Sequence, residues 1–138
     1  MTRMLRALPL LLLAAAALTA CGDDTAEPPI PGSLLLSVTT PAADDGAIMV
    51  RVTGPGIMGV QPTGSGQEVF WRLASEDEAR AIVIGAVQTG PLLTIQVPDV
   101  NRVAEYTAEV GEVAAESDAI RPALTGYSLS LTRVGANR

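Results

Sequence analysis

Few residues in this chain can do chemistry. Its 138 residues include no His, no Lys and one Cys, Cys21. Nucleophile–base catalysis therefore lacks its usual base. The hydroxyl in "GSG", Gly64–Gly66, lies in a turn, without the strand–elbow–helix setting that activates a serine. Paired carboxylates run glycoside hydrolysis; the candidates are Asp99, Glu105 or Glu109 with Glu68, and surface solubility explains them better. Without His or a second Cys, a metal would need oxygen donors, which suit calcium or magnesium. The acidic loops "ADDG" (Asp44, Asp45), "SEDE" (Glu76, Asp77, Glu78) and "PDVN" (Asp99, Asn101) lack the spacing of a calcium loop. They read as solvated turns, with calcium at one end of the domain as the alternative. The expectation is no catalytic residue, no metal and no cofactor: not an enzyme.

Charge narrows the partners. Net charge is −6, and more negative once Arg3 and Arg6 leave with the N-terminal segment described below. No basic cluster offsets it, so nucleic-acid binding is not expected. Only four aromatics are present, Phe70, Trp71, Tyr106 and Tyr127. A sugar-binding surface would draw on Trp71, but Trp71 sits among alternating apolar residues and is expected in the core. Tyr127 is expected to pack a strand end.

The remaining chemistry is at Cys21. "MTRMLR" is a cationic start and "ALPLLLLAAAAL", Ala7 to Leu18, an apolar run of twelve residues. That run is too short for a membrane-spanning helix, which needs about 20 residues, and fits a secretory signal peptide. Leu18-Thr19-Ala20-Cys21 resembles the lipobox of bacterial lipoproteins. The resemblance implies cleavage between Ala20 and Cys21 and a thioether-linked diacylglycerol on the Cys21 sulfur. It also implies an exported, membrane-attached protein, and Gly22 after the cysteine favours the outer membrane if the cell has one. No cysteine is left for an intramolecular disulfide.

The elements around these residues divide the chain. Residues 1–20 form the signal peptide and 21–32 the acylated cysteine and its tether. Pro28, Pro29 and Pro31 make the tether stiff and extended. Residues 33–138 form the domain. From Ser33 the apolar period is two: Leu34, Leu36 and Val38; Ile48, Val50 and Val52; Val69, Trp71 and Leu73; Tyr127, Leu129 and Leu131. "ARAIVIGAV", Ala79 to Val87, is apolar on both faces and reads as a central strand, followed by "LLTIQV", Leu92 to Val97. Gly- and Pro-containing turns separate these runs. Over Val103 to Glu116 a helix (Val100, Val103, Thr107, Val110 and Ala114 on one face) competes with a strand in which Tyr106, Ala108 and Val110 alternate and Gly111 marks a bulge; strand is preferred. The pattern predicts an all-β fold, an antiparallel β-sandwich of seven or eight strands.

"GAIMVRVTGPGI" with "VPDV…EYTAEV…AAES…RPALTGYSLSLTR" is similar to β domains of bacterial envelope lipoproteins, which resemble the cohesin type of β-sandwich. The likeness implies a fold and an adhesive role and carries no site residues. The expected function is a membrane-anchored, non-catalytic binding or adhesion module of the envelope. It would contact a protein or polymer through edge strands and loops. A structural subunit of an envelope complex and a small carbohydrate-binding module are the alternatives.

Overall fold

The computed structural model describes residues 26–135. Ala20, Cys21 and the signal peptide lie outside the described residues. Eight strands follow in order: β1 Gly32–Thr39, β2 Asp45–Thr53, β3 Gly59–Pro62, β4 Glu68–Ser75, β5 Glu78–Val87, β6 Gly90–Val97, β7 Thr107–Ala115 and β8 Ser128–Arg133. A 3-10 helix, Val100–Glu105, joins β6 to β7. The strands form two antiparallel four-stranded sheets, β3-β6-β1-β8 and β4-β5-β2-β7. This is the eight-stranded, all-β sandwich that the alternating pattern predicts.

Alternation places the core. Leu34, Leu36 and Val38 of one sheet face Ile48, Val50, Val52, Ala81 and Val83 of the other, all buried. With so few aromatics, branched aliphatics fill the space between the layers. The contested segment resolves into both forms in succession. The helix is a short 3-10 turn capped by Asp99, whose Oδ1 accepts from the Asn101 backbone N–H at 3.0 Å. From Thr107 the chain is a strand. Gly111 is the extra residue of a bulge: Met49 pairs with Glu112 and Val50 with Val110.

Two features depart from the expectation. β3 was not foreseen, because "GVQP" is short, does not alternate and ends in Pro62; it is tolerated at a sheet edge, where no neighbour needs the missing N–H. The assignment of Trp71 to the core is corrected: Trp71 is 38% exposed and Leu73, on the same side of β4, 49%. β4 is an edge strand facing β3, and β3 supplies only Val60 as a buried side chain with any bulk. The inner side of β4 therefore overhangs its cover.

The chain enters the domain firmly held. The Ile30 N–H donates to Asp99 Oδ1 at 3.1 Å, and the Val100 N–H donates to the Ile30 carbonyl at 2.8 Å. This fixes the tether at the sandwich end that carries the 3-10 helix. Loops 40–44, 63–67, 88–89 and 116–127 lie at the opposite end. At the tether end, Gly54 lies under the Tyr106 ring, whose hydroxyl donates to the Pro55 carbonyl. A Cβ on Gly54 would fall 2.2 Å from Tyr106 Cδ1. Gly54→Ala must displace that ring, and a loss of about 2 kcal/mol is expected, of the size typical for overpacking; urea denaturation of the variant checks it.

Candidate binding face

The side-chain cluster that joins the two sheets lies at the end opposite the tether. Asp45, at the start of β2, is 1% exposed. Its carboxylate accepts from Thr40 Oγ1, from Tyr127 Oη at 2.8 Å and from Arg121 Nε at 2.9 Å. Arg121 also donates to Asp44 at 2.6 Å. Thr40 follows β1, Tyr127 precedes β8 and Arg121 lies in the β7–β8 loop, so the cluster ties the two sheets together.

Its protonation states are settled by the same contacts. Desolvation pushes the Asp45 carboxyl up, but hydrogen bonds from Thr40, Tyr127 and Arg121, with the Arg121 charge, outweigh it and hold the group below its ordinary value. Desolvation, then the Asp45 hydrogen bond, raises Tyr127. Hydrogen bonds to Asp44 and Asp45 raise Arg121. At neutral pH the carboxylate is ionised and the phenol protonated. Neither is poised to exchange a proton, and the cluster acts as a clamp.

The other candidates are dispersed. Glu68 is on β4 and Glu109 on β7, the opposite edges of one sheet, so about 14 Å of strand spacing separates them. That exceeds the reach of a glycosidase pair. Glu109 lies 3.7 Å from Arg51, and Glu105 is bridged by Arg102, whose hydrogen bonds lower its pKa. Asp99 is taken up by the cap and Glu78 by Arg80. Among the described residues, no group of three or more carboxylates is placed to hold a metal. The serine of "GSG" stays in the β3–β4 loop, and Tyr127 packs a strand end as expected.

What sequence reasoning missed is apolar. On the outer face of the β4-β5-β2-β7 sheet, Phe70 is 58% exposed, Ile82 43% and Ile84 46%. Register sets Phe70 opposite Ile82, and Ile82 opposite Met49 of β2, which is partly exposed. Charged residues, Glu68, Arg72, Arg80, Arg51 and Glu112, occupy the same face around them. An apolar centre with a charged rim is the make-up of an interaction surface. The signal was in "ARAIVIGAV": a strand in a two-layer sandwich has one inner face, so a strand apolar on both sides must show one to solvent.

Comparison with protein-family models, with curated proteins and with solved structures finds no match to this chain. Among the described residues, no helix is long and apolar enough to cross a membrane.

Proposed function

We propose that this protein is an exported lipoprotein, held to the membrane through acylated Cys21, whose sandwich is a non-catalytic binding module of the bacterial envelope. The outer membrane is favoured if the cell has one. The observation that carries the binding role is the exposed Phe70–Ile82–Ile84 centre on the outer sheet face. Water-facing side chains of this size on neighbouring strands offer apolar area to a partner, and the rim charges give it orientation. The cohesin-type likeness implies a β-sandwich, the fold seen here, and an adhesive role goes with that likeness. The partner is an envelope protein or polymer.

Cross-linking in living cells with a tag after Arg138 tests this, comparing the unsubstituted chain with Ile82→Asp. A charge at the centre of the patch lowers the yield of the adduct roughly tenfold or more, as for a central interface residue. An adduct formed equally by both proteins removes the patch from the function. One observation favours a second reading: the exposure of Trp71, which would let its ring stack on a sugar. Quenching of Trp71 fluorescence by cell-wall or surface glycans, at constant fold, would favour that reading.

A further inference from the structure

Among the described residues, β4 is the most open sheet edge. β7, at the other side of its sheet, is partly covered: Ala114 bridges Ile120, the Ala115 N–H donates to Ala119 and the Arg121 N–H to Val113. In the other sheet, β3 has four residues and β8 six. β4 has eight, with no Pro, Gly or Lys to discourage pairing. Its outer side chains are Glu68, Phe70 and Arg72, and its inner ones include Val69, Trp71 and Leu73.

Its charges have no counter-ions in its own sheet. Arg72 stands opposite Arg80, whose own acid is Glu78, and Glu68 stands opposite Ile84. Among the described residues, neither Arg72 nor Glu68 makes an ion pair. The two are equally spaced on either side of Phe70. We propose that the occupant of this edge is a second copy of the chain, pairing β4 antiparallel to β4 about a two-fold axis through Phe70. Each Glu68 then faces Arg72 of the other copy, the two Phe70 rings meet at the axis, and each Val69 faces the other copy's Trp71 on the inner side. Centring on Trp71 would set Glu68 against Ala74 and Phe70 against Arg72, leaving the charges unmet, so charge selects the register.

Such a dimer is one eight-stranded sheet whose apolar outer face is doubled. Its two-fold axis runs through the sheet, along the membrane normal if both copies are anchored in one membrane. The tethers then leave in opposite directions. Residues 21–29, ahead of the Ile30 that is held to the domain, reach about 30 Å when extended, enough for both to return to one bilayer.

This proposal concerns the edge and goes beyond the binding role of the face; it relies on acylation of Cys21 only for a thiol-free background, which the unsubstituted chain controls. The experiment is disulfide formation in the full chain in its membrane, read on non-reducing gels. Phe70→Cys is expected to give a covalent dimer. Glu68→Cys and Arg72→Cys alone are not, because each would lie about 13 Å from its own counterpart; the two together are. Adding Arg72→Glu to Phe70→Cys should lower the yield about threefold or more, and adding Glu68→Arg as well should restore it. No dimer from Phe70→Cys, or equal yields at 68, 70 and 72, overturns the proposal. If the dimer is absent while Ile82→Asp still abolishes the cross-linked partner, the edge proposal fails and the binding face stands.

Discussion

Asp45→Ala is expected to destabilise the domain by about 3 kcal/mol, the cost of removing a buried carboxylate that three side-chain donors share. The loss has three parts. Arg121 keeps Asp44 but loses its buried acceptor, the Tyr127 hydroxyl loses its acceptor, and Thr40 loses the contact that closes the β1–β2 loop. For a domain of this size the melting temperature falls by about 12 °C or more. Asp45→Asn should lose nearly as much, since its amide presents N–H groups where three donors already converge. Tyr127→Phe should lose about 2 kcal/mol, one hydrogen bond to a surviving buried charge. The pH dependence follows from the directions of the shifts. Asp45 titrates lower in the folded state than in the unfolded chain, so its contribution is full above the unfolded value near 3.8 and is lost as pH falls through the folded one. Tyr127 titrates higher when folded, so its contribution is full below the unfolded value near 10.0 and is lost as pH rises through the folded one. Thermal melts from pH 2 to 11 should show a plateau with a loss at each end, and Asp45→Ala should flatten the acid limb.

Cys21→Ser is expected to have the largest effect on lipid attachment and processing. Only sulfur forms the thioether, so the substituted chain takes no diacylglycerol and is not cut between Ala20 and Cys21. Two or three acyl chains hold a protein firmly. Without the thiol, incorporation of labelled fatty acid should vanish, and the uncut chain should run larger than the acylated one by its twenty leader residues. Equal incorporation into Cys21→Ser protein would contradict the lipoprotein reading. The clamp lies far from Cys21 in sequence, so the domain of the Cys21→Ser protein should melt at the same temperature as that of the unsubstituted chain.

How far the fold could be read in advance depends on the distance over which each feature is encoded. Strand positions are local: the alternation at Leu34–Leu36–Val38 and Ile48–Val50–Val52 needs no knowledge of the partner strand, and it held. Gly111 also carried its bulge locally. β3 failed because its strand character comes from pairing with β6 and not from its own residues. Trp71 failed for a related reason: alternation told which side of β4 it occupies, but not that the facing strand is too short to cover it. The clamp joins residues 76 and 82 positions apart in sequence, and nothing in "ADDG" distinguishes Asp45 from a solvated turn. The binding face was legible in part. The double-sided apolar pattern of β5 is in the sequence, but its meaning depends on there being two layers and not three.

The central claim is that the outer face of the β4-β5-β2-β7 sheet is covered by a partner in the envelope. Hydroxyl-radical footprinting of intact envelopes against purified protein tests it most directly, with two methionines as reporters. Met49 lies on that face, beyond the β4 edge, and Met58 lies on the other sheet just before β3. The account predicts that Met49 oxidation drops severalfold in envelopes while Met58 oxidation is unchanged. Met49 oxidised to the same extent in both would mean that the face is bare, and the binding role assigned to it would be wrong.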